Sequence, residues 1–120
     1  MSDTPHLRPV VWLGSTLRDY RQFPDRVQSL MGYALYVAQL GGKHRNAKPL
    51  KGFRGAGVLE VVVDHAGDTY RSVYSVRFPH AVYVLHAFQK KSKRGIATPK
   101  LDLETIERRY REAERHAQER

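Results

Sequence analysis

Between Val58 and Phe88, three strand-like runs follow one another with only a tight turn between successive runs, and that spacing leaves few folds open. Val58 to Val63 is almost wholly apolar, which suits a central strand covered on both faces. Asp64-His65-Ala66-Gly67-Asp68 reads as a turn. From Thr69 to Phe78 the pattern alternates: Tyr70, Ser72, Tyr74, Val76 and Phe78 share one face, and Arg71, Val73, Ser75 and Arg77 the other. Pro79-His80 turns the chain again before a last strand, Ala81 to Phe88. Strands joined this closely form an antiparallel meander.

The flanks are helical. Val10-Val11-Trp12-Leu13 is a short apolar strand ended by Gly14. Ser15 or Thr16 can cap a short helix through Phe23, and Pro24 starts another. From Asp25 to Leu40, helical spacing puts Val27, Leu30, Met31, Ala34, Leu35 and Ala38 on one face, and Gly41-Gly42 ends the helix. A charged, weakly amphipathic helix runs from Leu103 to about Ala117. Residues 1–8 read as a loose leader. The order strand, helix, helix, strand, strand, strand, helix gives an α+β fold. In it an antiparallel sheet carries an N-terminal helical hairpin on one face, followed by a C-terminal helix. Helices packed on one side leave the other side partly open.

At 120 residues the chain makes one domain, spanning 1–120. It has no cysteine, so neither disulfides nor thiolate chemistry enters. No apolar run approaches the length of a membrane span, and no basic-then-apolar signal opens the chain, so the expectation is a cytoplasmic protein without a membrane partner. The net charge is +9. It is concentrated in two segments free of acids: Lys43, Arg45, Lys48, Lys51 and Arg54 in one, and Lys90, Lys91, Lys93, Arg94 and Lys100 in the other. Clustered cations on a small domain point to nucleic acid; a basic surface kept for solubility is the plainer alternative.

A sheet face cannot cheaply bury unpaired cations, so Arg71 and Arg77 should face solvent or an anionic ligand. His86, Phe88 and Lys90 share a face by parity. If that face is the open one, they join Arg71 above a surface rimmed by the Lys43–Arg54 loop, provided no bulge reverses the parity. Such a surface suits RNA binding and RNA cleavage. Metal-independent cleavage needs cations for the phosphorane and groups that move two protons. Arginine matches the phosphate oxygens, and histidine or a lysine among cations can transfer protons. Tyr70, Tyr74, Tyr83 and Phe88 offer stacking surfaces or are simply core. His86 in an apolar strand is either a satisfied structural residue or a catalytic one. Glu60, the carboxylate inside an apolar run, is expected to pair with an arginine of a neighbouring strand; a general-base role is the alternative. His6 and His80 lack partners at metal-ligand spacing, and no pattern calls for a metal or cofactor. The glycines at 52, 55 and 57 lack the spacing of a nucleotide-hydrolase phosphate loop.

Four pieces together resemble the RelE/ParE superfamily of toxins, and most closely its phage-derived, HigB-like branch. They are Pro49-Leu50-Lys51-Gly52 with Gly57-Val58-Leu59-Glu60-Val61; Gly67-Asp68-Thr69-Tyr70-Arg71-Ser72-Val73-Tyr74; Val84 to Ser92; and Thr98-Pro99 before the last helix. The resemblance covers roughly residues 10–115. It implies the toxin of a type II toxin–antitoxin system, an endoribonuclease that cuts mRNA in the ribosome. It also implies a cognate helix-turn-helix, HigA-like antitoxin. By the same resemblance Lys51, Arg71, Lys90 and Lys91 match the family's basic positions, and Glu60 its strand carboxylate. Arg71, Lys90, Lys91 and His86 are the catalytic candidates; Lys43, Arg45, Lys48, Lys51, Arg54, Arg77, Lys93 and Arg94 are the RNA-binding ones. Where the branch commonly carries an arginine, this chain has Val62, which leaves phosphate binding to Arg54, Arg71 or Arg77. The other functions the resemblance admits are a gyrase poison of the ParE kind and a non-catalytic RNA-binding protein.

Overall fold

The computed structural model describes residues 6–53, 57–90 and 98–119. The elements run β1 (Val10–Trp12), α1 (Thr16–Arg21), α2 (Asp25–Gln39), β2 (Ala47–Pro49), β3 (Val58–His65), β4 (Asp68–Ser75), β5 (Val82–Lys90) and α3 (Lys100–Gln118). The five strands form one sheet in the order β1-β5-β4-β3-β2. The expected meander is its centre: β3, β4 and β5 pair antiparallel in sequence order. Two edges complete it. β1 pairs parallel to β5, and the short β2 pairs with β3 from inside the basic loop, where no strand was expected. Three residues containing a lysine and a proline give too little pattern for sequence reading to register. β4, not β3, is the central strand.

α2 forms for reasons visible in its sequence. Pro24 is its N-cap, with φ −55°, and Asp25 sits in the first turn, where the helix dipole favours an anion. Val27, Met31, Ala34, Leu35 and Ala38 are buried and pack with Leu59, Val61, Tyr70, Tyr74 and Val84. Leu30 departs from the expected set: it lies at the margin of that stripe and is 38% exposed. At the far end Gly41, with φ +89°, sends its N–H to the Ala38 carbonyl, while Gly42 N–H reaches Val37 O, both at 2.9 Å. This two-bond closure needs a left-handed residue, which glycine supplies without strain.

α1 and α2 cover one face of the sheet, and α3 lies on the other. Ile106, Tyr110 and Ala113 pack against Val58, Val73, Tyr83 and Leu85 in a second core. The final helix therefore covers part of the face that was expected to be open. Tyr83, with its ring buried, fastens this layer: its hydroxyl meets His80 Nε2 at 2.9 Å and His116 Nδ1 at 2.6 Å. Arg8 ties the approach to β1 down, donating to the carbonyls of Phe78 at 3.1 Å and Ala38 at 2.7 Å.

The meander contains one irregularity. Val73 pairs with His86 but Tyr74 pairs with Val84, so Leu85 is an extra residue in β5. Its carbonyl accepts from Arg109 Nη1 at 3.0 Å, replacing the ladder bond lost at the bulge. Arg109 reaches it past Gly14, where a Cβ would stand 2.7 Å from Nη2.

The β3–β4 turn offers a test. Ala66 (φ 50°) and Gly67 (φ 86°) are its two central residues, both left-handed as a two-residue hairpin requires. Ala tolerates that region poorly and Asn well, so Ala66→Asn should raise stability by about 0.5–1 kcal/mol. Urea unfolding measures it; an unchanged or lower midpoint would refute the assigned turn.

Candidate functional site

The bulge decides which side chains meet. Before it, Tyr83 and Leu85 face α3; after it, His86, Phe88 and Lys90 take over that face. Strand pairing then lays out rows across the sheet. Lys48, Glu60, Val73 and His86 form one row, and Val62, Arg71 and Phe88 the next. Asp64, Thr69 and Lys90 form a third. Two strand spacings separate Glu60 from His86, about 10 Å. α3 covers the Val73 end of this grid. Near the β2 edge the surface opens as a cleft of about 310 Å³ lined by Asn46, Lys48, Glu60 and Val62.

Arg71 is the centre of the arrangement. It faces neither solvent nor an open ligand space, as strand parity alone suggested. It is 4% exposed, and its Nη1 donates to both Glu60 oxygens at 3.2 Å. This is the carboxylate–arginine pairing expected of Glu60. Thr98 joins the pair: its hydroxyl donates to Glu60 Oε2 at 2.9 Å and lies 3.5 Å from Arg71 Nη1. Pro99 caps α3 next to it, so the start of that helix is fixed to the ion pair. Thr98 was visible in the sequence only as part of a Thr-Pro motif, with nothing to show its partner.

His86 has both nitrogens engaged. Nε2 lies 2.7 Å from Asp102 Oδ1, and Nδ1 lies 3.4 Å from Arg109 Nη1. A carboxylate only accepts and a guanidinium only donates, so the neutral ring carries its proton on Nε2. Burial pushes this imidazole below its usual value. Asp102 pulls it up and Arg109 pushes it further down, and burial prevails over the close carboxylate. The ring stacks on Phe88, centroids 4.6 Å apart. Asp102 and Arg109 were not among the sequence candidates, because only the bulge and the docking of α3 bring them here.

The remaining candidates divide. Lys90 stands in the third row and is 9% exposed. Lys48 is exposed opposite Glu60. Lys51 lines a different groove, about 660 Å³, with Phe53, Tyr110 and Arg111. Arg77 does not share a strand with Arg71, since β4 ends at Ser75. Its guanidinium stacks over Phe78 and Tyr110 and bonds the Tyr110 hydroxyl and Glu114. Lys43 and Arg45 flank His44, whose ring packs edge-on against Tyr33 of α2, across the sheet from Arg71. Arg54, Lys91, Lys93 and Arg94 lie outside the described residues. Of the proposed stacking rings, Tyr70, Tyr74 and Tyr83 are core, and burial raises the Tyr74 phenol to about 12. Phe88 alone stays half-buried at the site. Among the described residues no three His, Asp or Glu side chains converge as metal ligands, and no helix is long and apolar enough to cross a membrane.

Residues 18–111 match a family model described as "Phage derived protein Gp49-like (DUF891)". No curated protein matches the chain. Among solved structures, a mutant of the E. coli toxin RelE in the free state superimposes with a TM-score of 0.59 at 16% identity, covering 86% of this chain and 97% of that one. The RelBE2 toxin–antitoxin complex from Mycobacterium tuberculosis matches with a TM-score of 0.46 at 20% identity, over 76% of this chain and 100% of that one. The RelE superposition shows a shared fold.

The lowered imidazole has a thermodynamic consequence. Unfolded, His86 titrates near 6.5; folded, it titrates lower, so between the two values the unfolded chain binds more protons. Its contribution to stability is complete above about pH 6.5 and is lost as pH falls through the folded value. Urea midpoints at pH 7.5, 6.5 and 5.5 should fall in that order, and less steeply in His86→Gln. Equal slopes in the two proteins would show that His86 is not the group responsible.

Proposed function

The chain belongs to the phage-derived Gp49-like family, and we propose that it is the toxin of a type II toxin–antitoxin pair, an endoribonuclease that cuts mRNA in the ribosome. The observation that carries this reading is the Arg71–Glu60–Thr98 cluster, set beside a cleft that Lys48 and Glu60 line on a RelE-like sheet.

The chemistry follows from the groups present. In-line attack of a ribose 2′-hydroxyl on the adjacent phosphorus forms a 2′,3′-cyclic phosphate and expels the 5′-oxygen. Arg71, buried against Glu60 and Thr98, fixes that carboxylate in orientation at the cleft and adds its positive charge to the field the phosphorane meets. Glu60, whose carboxylate lines the cleft, takes the 2′-hydroxyl proton in this scheme. Lys90, with Lys91 following it in sequence, provides positive charge and a proton for the departing 5′-oxygen. His86, its nitrogens occupied, contributes the face of its ring with Phe88, a platform on which a base can stack. Lys48 lies opposite Glu60 to guide the strand, and Lys51, Arg54, Lys93 and Arg94 are RNA-binding candidates by sequence alone. Val62 pairs across the strands with Arg71 and lines the cleft, so an arginine there would bring a guanidinium to the cleft beside Glu60. This mechanism uses no metal.

Replacing Arg71 with alanine would strip Glu60 of its partner and confound activity with stability. Arg71→Lys keeps the charge but loses the fork and should lower cleavage about 100-fold. Lys90→Ala should do the same and, like Arg71→Lys, relieve growth arrest in cells. Cleavage is read on ribosome-bound mRNA. Arrest that persists in both variants excludes this site, and DNA breaks trapped on gyrase in place of cut mRNA would transfer the chain to the gyrase-poison class.

A further inference from the structure

α2 is apolar on two opposite sides. Its inner stripe fills the core, as described, while Tyr33, Tyr36 and the capping Leu40 recur at three- and four-residue spacing on the outer side, with Leu30 exposed at the edge between the two. All four are 38–58% exposed, and they are four of the seven large hydrophobic side chains exposed among the described residues. The charge pattern is as unusual. Charged residues make up 28% of the chain, yet Val27 to Gly42 contains none. A solvated helix face in so charged a protein ordinarily carries lysines, arginines and glutamates. A face with tyrosines and leucines and no charge has the composition of the core of a protein–protein interface.

Its borders indicate what fits. Arg26 stands at the first turn of α2, and Lys43 and Arg45 follow its end, with no acid between Asp25 and Glu60. Tyr33 packs edge-on against His44 at 5.4 Å, so this cationic border adjoins the apolar stripe. A second copy of the chain would bring cationic borders of the same +9 protein against one another. RNA would find tyrosines but no cation within the stripe itself. The surface instead complements an acidic amphipathic helix: apolar side chains on the stripe, carboxylates over Arg26 and the Lys43–Arg45 border.

We infer that the outer face of α2 is the docking site for an amphipathic helix of an acidic partner protein. The inference rests on reading the chain as half of a toxin–antitoxin pair, and the partner is then its antitoxin. Because α2 lies across the sheet from Arg71, this contact by itself leaves the catalytic face uncovered.

The test uses the protein encoded by the neighbouring reading frame. The double variant Leu30→Glu/Tyr33→Glu should lose about 100-fold in affinity for it and escape neutralisation on co-expression. Alone, the variant should still arrest growth, with its thermal midpoint close to that of the parent. If it does not fold, Tyr33→Ala, with an expected loss of about tenfold, replaces it. In the parent complex, amide exchange should slow along α2. Affinity within threefold of the parent, or slowed exchange confined to the Arg71 face, overturns the docking site while the toxin–antitoxin pairing stands. A neighbouring product that neither binds the parent nor relieves arrest overturns the pairing, and the docking site with it. Self-association of the parent that the variant abolishes, or a loss of RNA affinity in the variant, also overturns it by assigning the stripe to a second copy or to RNA.

Discussion

The geometry of this protein depends on one extra residue. Leu85 bulges out of the β4–β5 ladder, and Arg109 of α3 supplies the hydrogen bond that the bulge leaves unmade. In a regular ladder through Leu85, Ala87 and Gln89 would face α3, and His86, Phe88 and Lys90 would face α2. With the bulge, one strand gives an apolar floor to the α3 core and, further along, sets His86, Phe88 and Lys90 on the Arg71 face. A buried carbonyl left unpaired costs on the order of 1–3 kcal/mol, so the arginine and the bulge stabilise each other. Gly14 leaves the space the guanidinium occupies.

A second constraint sits beside the first. The Arg71 guanidinium is almost wholly buried, which a protein tolerates only when the charge is matched. Glu60 matches it, and Thr98 locks the carboxylate in place. α3 is thereby fixed at its start by Thr98 and the His86–Asp102 contact, and midway by Arg109. The helix works as a brace that holds polar groups of the sheet along its length, while Ile106, Tyr110 and Ala113 supply the core packing.

Much of this was legible from residue patterns, and the failures have physical causes. The meander, both long helices and the pairing of Glu60 with a strand arginine follow from periodicity and from the cost of burying a lone carboxylate. β2 was missed because three residues carry no period. Arg77 was misplaced because parity was continued beyond Ser75, where the strand ends and the chain turns toward Tyr110. Arg71 was expected to face outward because its partner's distance could not be read from a linear pattern. Asp102 and Arg109 escaped notice because α3 reads as a generic charged helix, and only its docking against the bulge gives them particular roles; Thr98 was seen only as part of a Thr-Pro motif, with no sign of its Glu60 partner.

The parallel pairing of β1 with β5 also bears on how the chain comes into being. Val10 must wait for Val82, and Arg71 and Glu60 for Thr98, before either arrangement can close. On a ribosome, synthesis runs from the N-terminus, so the Arg71–Glu60–Thr98 cluster cannot close until nearly the whole chain has emerged. α2, by contrast, is made early and is held mainly by local bonds. A nascent chain therefore displays α2 well before the Arg71–Glu60–Thr98 cluster can close, and this order of appearance is written into the topology of the sheet.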